Sequence, residues 1–406
     1  MSDFIQHGPI STLHDFGTLD SQQLERTLED ATSEYPMGLI LPVTASDMRA
    51  PAFATIMDQL EGTKFLKTVV VVLNRAPDVE DYRECRQLTS KLGNMCRVLW
   101  NDGPRGKAAF QQLTDAGFNV SVPGKGRAVW TAFGYLLADP EIKAMALHDC
   151  DIVNYHRDML MRLCLPMAHR GFDFDFCKAY YARVTDRMHG RVVRLLMTPL
   201  LRSLIRVLGN DDFLVFLNSF RYPLSGEFAV TSTLVRANRI PSDWGLEVGT
   251  LAEVFRNTAP KRICQIDLGH PYEHKHQPIS LEDANRGLMK MTSDILHSIY
   301  RTLSSRGIVF SMGMFNTLES AYLRDAQDAI RQYHADAVIN GLEFDRHSEE
   351  HSVEGFARLI TQCGQEFFEN PVMAHEMPTW TRVRSAIPDF PNTLRRSVEG
   401  DSAEYT

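Results

Sequence analysis

The stretch MALHDCDIVNY, residues 145–155, ends an apolar run with Asp149 and Asp151, two acidic residues one position apart. The preceding residues have the length and composition of a buried strand, so both carboxylates are predicted to follow its carboxyl end. A simple turn is one interpretation of this pair. The other is a site in which carboxylate oxygens hold a hard divalent cation.

Short apolar runs alternate with helical spacing through the first part of the chain. MGLILPV (37–43) and KTVVVVLN (67–74) are typical of strands covered on both faces, and CRVLW (96–100) is a weaker copy. The alternation predicts an α/β fold with a parallel, Rossmann-like sheet. Ligands of such sheets bind beyond the carboxyl ends of the strands, where Asp149 and Asp151 fall. Their position favours the functional interpretation over the turn.

The pattern divides the chain into three parts. Residues 1–35 are an N-terminal extension, and 36–280 form the main domain, with one half at about 36–155 and a second at about 156–280. The second half contains strand candidates at 172–184 and 262–269 and a helical segment at 190–209 that a proline interrupts. Long amphipathic helices are predicted within 281–406, with a polar, frayed tail from about residue 395.

Composition excludes several classes of protein. The 406 residues carry a net charge of −8 with both signs interspersed, which argues against a nucleic-acid partner. The seven cysteines are scattered without CxxC spacing, so we expect neither a disulfide framework nor a structural zinc site, and a reducing cytoplasm fits best. No apolar run approaches the roughly 20 residues that span a bilayer.

Two segments offer cationic or metal-binding side chains. VPGKGRAVW (122–130) is a loop opening a helix, in which backbone N–H groups and Lys125 could meet an anion. It lacks the Walker A spacing, and a solvated loop lysine is the plain alternative. HPYEHKHQP (270–278) places His274 and His276 on one face if the segment is extended, although surface solvation would explain both.

Several glutamates and arginines are further candidates for ligand-binding residues. YPLSGEFAV (222–230) and SDWGLEVGTLAEVF (242–255) each place a glutamate beside a glycine before a stretch that is expected to be helical. Such glutamates stabilise helix starts or, alternatively, bond sugar hydroxyls. In HGRVVRLLMTPLLRSLIRVLG (189–209), Arg191 could clamp a phosphate or carboxylate; a basic outer face of an amphipathic helix is the alternative, with peripheral membrane contact weaker still.

Seven motifs together resemble a known family. LILPV, GKGRAVW, LHDCDIV, GRVVRLLMTPLL, PLSGEFA, WGLEVG and HKHQPI occur in the order and approximate spacing of the glucosyl-3-phosphoglycerate synthases, retaining nucleotide-sugar glycosyltransferases with the A-type fold. The resemblance covers about residues 36 to 280, plus a helical tail of similar character. It implies a nucleotide-sugar-binding sheet with a C-terminal helical extension, dependence on Mg²⁺ or Mn²⁺, and a homodimer.

The resemblance also implies an activity. It is the transfer of glucose from a nucleoside-diphosphate-glucose to the 2-hydroxyl of 3-phosphoglycerate, a step towards the compatible solute glucosylglycerate. The two partners implied are thus a nucleotide-sugar donor and a small phosphorylated acid as acceptor.

Roles of individual residues follow from the same resemblance. Asp151 and His274 would bind the metal, and catalysis would involve Glu247, Asp151 and Lys125. The donor would contact a set from both halves of the main domain: Pro42, Val43, Thr44, Ser46, Lys125, Asp149, Trp244 and Glu247. The acceptor would contact a second set: Gly190, Arg191, Val192, Val193 and His276.

Departures from the family pattern leave alternatives open. Val193 stands where the family commonly has threonine, and Ser46 where an acidic residue is usual. The acceptor could therefore be glycerate or another small acid, and the donor UDP-, GDP- or ADP-glucose or GDP-mannose. Two further alternatives are a nucleotide-sugar hydrolase or pyrophosphorylase and a non-catalytic nucleotide-sugar-binding protein. LPVTASDMRA (41–50) is a poor match to the Gly-rich, basic loop of pyrophosphorylases.

Overall fold

The computed structural model describes residues 6, 8–18, 20–269, 272–273, 287–371 and 376–405. Its strands are β1 (Ser11–Leu13), β2 (Met37–Thr44), β3 (Leu66–Asn74), β4 (Cys96–Trp100), β5 (Ala144–Leu147), β6 (Phe176–Tyr180), β7 (Phe228–Thr231), β8 (Ile240–Pro241), β9 (Ile263–Asp267) and β10 (Glu376–Met377).

The α-helices are α1 (Ser21–Glu34), α2 (Pro51–Leu60), α3 (Val79–Thr89), α4 (Pro104–Asp115), α5 (Lys125–Leu137), α6 (Arg157–Ala168), α7 (Thr198–Leu208), α8 (Asp212–Asn218), α9 (Ser232–Ala237), α10 (Leu246–Asn257), α11 (Gly287–Ser305), α12 (Met312–Asn340), α13 (Arg346–Glu369), α14 (Trp380–Ala386) and α15 (Phe390–Glu404). A π-helical segment, Val192–Met197, leads directly into α7.

An eight-stranded sheet in the order β1-β9-β6-β7-β5-β2-β3-β4 forms the centre of the molecule. The strands predicted from apolar runs, β2 to β5, are neighbours at one end of this sheet, and their side chains enter two cores on opposite faces. In β3, for example, Val70 and Val72 pack on one side of the sheet and Val69 and Val71 on the other. The continuous apolar runs are explained by this burial on both faces.

The sheet differs from the predicted all-parallel one at a single strand. Five of its pairings are parallel, whereas β7 runs antiparallel to both of its neighbours, β5 and β6. The segment PLSGEFAV therefore leads into a strand, and the expectation of a helix after its glutamate is wrong. The four residues of β7 are all buried. The apolar face of a helix would be buried as well, so the apolar run alone does not distinguish a strand from a helix here.

The N-terminal segment contributes to this sheet. β1 pairs in parallel with β9 at the sheet edge, and α1 packs against α6. The predicted boundary between an extension and the main domain remains a prediction.

The C-terminal helices cover one side of the second half. α12 packs along both α7 and α13, and α11 lies against α10 and α13. α15 packs on α4, α5 and β4 and buries Phe390, Leu394 and Val398. The expected frayed tail from about residue 395 is therefore wrong: these apolar residues recur at helical spacing and fix the last helix to the first half of the molecule. Within the described residues no helix is long and apolar enough to span a membrane.

The start of α5 is held close to the β8 segment by two glycines. A Cβ atom at Gly124 would come within 2.1 Å of the Ser242 carbonyl oxygen, and one at Gly126 within 1.8 Å of the Pro241 oxygen. Only glycine permits these approaches. They bring Lys125, which lies between the two glycines, near the start of α10.

Candidate active site

Three charged side chains from different elements meet at the carboxyl end of β5. Lys125 begins α5, Asp149 follows β5, and Glu247 lies in the first turn of α10. Lys125 Nζ lies 2.6 Å from Asp149 Oδ1 and 3.2 Å from Glu247 Oε1. The prediction that these residues share a site is consistent with this geometry, since they come from positions up to 122 residues apart.

The ammonium of Lys125 is held in its charged form. Burial alone would lower its pKa, but the negative charges of Asp149 and Glu247 outweigh burial, so the pKa lies well above its ordinary value. A positive charge therefore sits beside two carboxylates throughout the neutral pH range. A phosphate or a sugar hydroxyl entering here would meet both a cation and hydrogen-bond acceptors.

A glycine in the loop that leads into β7 makes this arrangement possible. A Cβ atom at Gly226, just before β7, would lie 2.2 Å from Asp149 Oδ2 and 2.9 Å from Lys125 Nζ. The loop backbone thus packs directly on the charged groups, and any larger residue would displace them.

Asp151 lies beside this cluster on the wall of the same cleft. Its carboxylate oxygens are the donors that Mg²⁺ and Mn²⁺ prefer, and the side chain is partly exposed at the cleft, so it fits the metal-binding role. The second predicted metal ligand, His274, and the predicted acceptor contact, His276, lie outside the described residues.

One open cleft of about 670 Å³ joins the charged cluster to the loop that precedes the π-helical segment. Nine of the predicted site residues line it: Lys125, Asp149, Asp151, Gly190, Arg191, Val192, Val193, Trp244 and Glu247. Gly190 has φ of +73°, which favours glycine and lets the chain turn into the helical segment that Arg191 begins. Members of the predicted donor set and of the predicted acceptor set thus lie on the walls of one space.

Four predicted donor residues lie elsewhere. Pro42, Val43 and Thr44 end β2, and Ser46 follows in the next turn; none of the four lines the 670 Å³ cleft. The Thr44 and Ser46 hydroxyl oxygens lie 2.9 Å apart in a hydrogen bond. Because β2 pairs with β5, these residues lie at the same sheet edge as Asp149, and their contact with a nucleotide remains a prediction.

Sequence reasoning missed a buried hydrogen-bonded pair at the wall of the cleft. Tyr181, just after β6, donates its hydroxyl to Glu227 Oε2 at 2.7 Å, and the ring of Tyr272 stacks on Tyr181 with centroids 3.5 Å apart. The motif PLSGEFAV makes Glu227 a candidate for a helix start or for sugar binding, but its side chain is completely buried. Only the antiparallel pairing of β6 with β7 brings these residues together, and no local pattern encodes that pairing.

A buried lysine was also missed. Lys178 lies in the middle of β6, is completely buried, and donates from Nζ to the Ser225 carbonyl oxygen at 2.6 Å. Burial lowers its pKa to about 8, against partial opposition from the charges of Glu247 and Glu227. It supports the loop that carries Gly226 from below.

Comparison with known proteins identifies the class. No protein-family profile matches the chain. Its fold is similar to that of glucosyl-3-phosphoglycerate synthase from Mycobacterium tuberculosis in complex with Mn²⁺, uridine diphosphate and glucosyl-3-phosphoglycerate, with a TM-score of 0.54 and 22% identity over 75% of this chain and 90% of that one. Mannosyl-3-phosphoglycerate synthase from Rubrobacter xylanophilus gives a TM-score of 0.54 and 20% identity over 74% and 83%. The fold predicted from the sequence is confirmed, and the full-length sequence relatives given next show that the protein is a glycosyltransferase.

Sequence comparison is more specific. The chain is 45% identical to glucosyl-3-phosphoglycerate synthase of Persephonella marina over 404 residues, 100% of both chains. It is 40% identical to that of Methanococcoides burtonii over 408 residues, 99% of both. The chain belongs to the glucosyl-3-phosphoglycerate synthase family.

Proposed function

We propose that this chain transfers glucose from a nucleoside-diphosphate-glucose to the 2-hydroxyl of 3-phosphoglycerate, with retention of the anomeric configuration. The observation that carries the proposal is the single cleft that joins Lys125, Asp149, Asp151 and Glu247 to the Gly190–Arg191 loop. Full-length similarity to two synthases supports it.

The donor end of the cleft is suited to hold a sugar diphosphate. Asp149 and Glu247 present carboxylate oxygens to sugar hydroxyls, while the cation of Lys125 attracts the diphosphate. Trp244, which is 37% exposed, offers an apolar face for the glucose ring. Each group is fixed by a different element, so donor binding requires little rearrangement of the site.

A divalent cation belongs in the same end of the cleft. We propose that Asp151 holds it, with His274 as the second protein ligand, and that the metal acts as a Lewis acid that offsets negative charge on the leaving diphosphate. The relative from Mycobacterium tuberculosis has been solved in complex with Mn²⁺, UDP-glucose and phosphoglyceric acid, and also with Mg²⁺ and UDP.

Retention follows from a displacement on one face of the sugar. The bond between the anomeric carbon and the phosphate oxygen breaks, the acceptor oxygen bonds to the same face, and the acceptor proton passes to the departing phosphate. Glu247 is the competing candidate for a covalent nucleophile, but its Oε1 lies 3.2 Å from Lys125 Nζ, which stabilises the carboxylate and lowers its nucleophilicity. A glycosyl adduct on Glu247, detected by mass spectrometry with a slow donor, would contradict the one-face displacement.

The acceptor end is basic and partly apolar. Arg191 supplies a guanidinium for a phosphate or carboxylate, and Val192 and Val193 complete the wall. Val193 has no hydroxyl to bond a phosphate, so glycerate or another small acid remains the alternative acceptor. GDP-mannose remains the alternative donor.

Compartment and assembly are parts of the same proposal. All seven cysteines are buried free thiols, which supports a reducing cytoplasm. We also propose a homodimer, supported by the amphipathic C-terminal helices and by the exposed Val338 and Ile339 at the end of α12. Size-exclusion chromatography with light scattering tests the dimer, and a monomer at all concentrations would contradict it.

The activity is tested by nucleoside-diphosphate release with Mg²⁺. UDP-, GDP- and ADP-glucose and GDP-mannose are crossed against 3-phosphoglycerate, glycerate and no acceptor. We expect release only with a glucose donor and 3-phosphoglycerate. Release with glycerate alone would indicate an acceptor pocket altered by Val193. Release without acceptor would indicate a hydrolase, and metal-dependent binding without release a non-catalytic protein.

A further inference from the structure

Glu349, in the first turn of α13, is a buried carboxylate between two arginines of the acceptor side. It is only 3% exposed. Arg191 Nε donates to its Oε1 at 2.8 Å, and Arg194 donates from Nη1 to its Oε2 at 2.9 Å and from Nη2 to its Oε1 at 3.3 Å. One anion from the C-terminal helices thus holds two cations of the main domain.

The two arginines use this carboxylate differently. Arg194 also donates to the backbone carbonyls of His189 (2.9 Å) and Met188 (3.3 Å), and its guanidinium lies 4.9 Å from the centre of the Tyr333 ring. All three of its nitrogens are therefore engaged within the protein. Arg194 ties down the loop that ends at Gly190.

Arg191 keeps most of its hydrogen-bonding capacity. Among the described residues its single hydrogen bond is the one from Nε to Glu349. Its side chain is 29% exposed and lines the 670 Å³ cleft on one side and a smaller cavity of about 210 Å³ on the other. Both Nη groups thus remain for a ligand, while Nε anchors the guanidinium plane.

The same stretch of chain supports the acceptor loop at a second place. The Glu343 backbone N–H donates to the Asp186 carbonyl oxygen at 2.9 Å, and the Glu343 carboxylate lies 2.6 Å from Arg187 Nη2. Glu343, in the segment that joins α12 to α13, therefore contacts the loop before Met188, and Glu349, at the start of α13, contacts Arg191 after it. Because the contacts occur at two places, they are more than an incidental surface ion pair.

We propose that Glu349 is a positioning residue for the acceptor. By fixing Arg191 through Nε, it directs both Nη groups into the cleft, where they take the phosphate or carboxylate of the acceptor as a bidentate pair. An arginine that is already immobilised loses less side-chain entropy when the ligand binds. The inference rests on the proposed function and extends the acceptor site to a helix beyond residue 281.

The test is the full-length Glu349→Gln variant, which keeps the shape and removes the charge. The KM for 3-phosphoglycerate is expected to rise about tenfold, the scale of losing one pre-positioned, charge-assisted contact. The KM for the nucleotide-sugar should change less than twofold, because the donor residues lie at the other end of the cleft. Glu349→Asp keeps the charge but shortens the reach, and a smaller rise is expected; this variant serves if Glu349→Gln does not fold.

Asp325→Asn is the matched control. Asp325 is a second buried carboxylate of the C-terminal helices; it accepts from Arg206 Nη2 at 2.7 Å and Ser203 Oγ at 2.6 Å and does not line the cleft. Both substitutions remove the charge of a buried carboxylate that is paired with an arginine, and both should lower the melting temperature. Only Glu349→Gln should raise the KM for the acceptor.

Three results would overturn the proposal. They are an unchanged acceptor KM in Glu349→Gln, an equal rise for both substrates, and an equal rise in Asp325→Asn. A fall in acceptor KM would overturn it as well, because it would show that Glu349 competes with the ligand for Arg191. Failure of the proposed function is recognised separately, because it would appear as absence of acceptor-dependent turnover in the wild-type chain.

Discussion

At the scale of single residues, the site is a set of opposite charges brought together in a largely buried place. Lys125 lies within 3.2 Å of both Asp149 and Glu247, so its positive charge lowers the cost of burying the two carboxylates, and they lower the cost of burying the ammonium. The types and order of these residues were predictable from motifs. Their distances were not, because they depend on where α5, β5 and α10 end.

Asp151 is the residue whose loss should affect turnover most specifically. Replacing it with Asn removes a negative oxygen ligand, so kcat should fall about 100-fold or more, the scale seen when one transition-state charge interaction is lost. Nucleoside-diphosphate release at saturating substrates measures this. Asp58→Asn, at an exposed residue of α2 that pairs with Lys91, is the control and should retain full activity. An equal loss in both variants would contradict the assignment.

Lys178 should make stability depend on pH. Its pKa in the folded chain is about 8, below its ordinary value of 10.5, so between these values the unfolded chain binds more protons than the folded chain. The free energy of unfolding contributed by this group therefore rises with pH in that window, by up to roughly 1.4 kcal/mol per pH unit.

The comparison is with Lys178→Met, which lacks the titrating group. Urea unfolding at pH 7.5 to 10 (~0.5-unit steps) should show wild type gaining stability relative to the variant. A difference in unfolding free energy that stays constant across this range would show that Lys178 does not lose its proton there.

At the scale of elements, the antiparallel strand β7 decides the shape of the site. It lies between β5 and β6, so the loop before it passes over the end of β5 and packs Gly226 against Asp149. The apolar strands β2, β3 and β5 were predictable because their runs are continuous. The direction of β7 was not, since four buried residues carry no information on orientation.

Gly226→Ala tests this packing. The added Cβ would come within 2.2 Å of Asp149 Oδ2, so the carboxylate and Lys125 must move, and kcat should fall at least about tenfold because misplacement by about 1 Å is costly. Gly313→Ala, where a Cβ meets nothing closer than 4.0 Å, is the control for the added methyl group. Normal turnover in Gly226→Ala would contradict the close approach.

The last helix, α15, gives a prediction on stability. Leu394 is 4% exposed and packs in the core between α15 and the first half of the molecule. Leu394→Ala should cost about 2–5 kcal/mol of unfolding free energy, the range for large buried side chains. Arg396→Ala, at an exposed residue of the same helix, should cost less than about 1 kcal/mol. Equal effects in denaturant titrations would mean that α15 is not docked.

At the scale of the whole molecule, the helical region beyond residue 281 is part of the site's support as well as an addition to the sheet. The sequence predicted its helices from their amphipathic spacing, but its contact with the acceptor loop depends on Glu349, whose partners lie 155 and 158 residues away. Spacing along a helix indicates which face is buried and not which element covers it. Ion pairs between residues so far apart in the chain therefore could not be predicted from the sequence.

The central claim is that one cleft joins a sugar nucleotide to a phosphorylated acid with retention. The most direct test is proton NMR of the purified product formed from UDP-glucose and 3-phosphoglycerate with Mg²⁺. The account predicts glucose bonded to the 2-oxygen of 3-phosphoglycerate in the α-configuration of the donor. Free glucose as the product, or a β-linked glucoside, would contradict it.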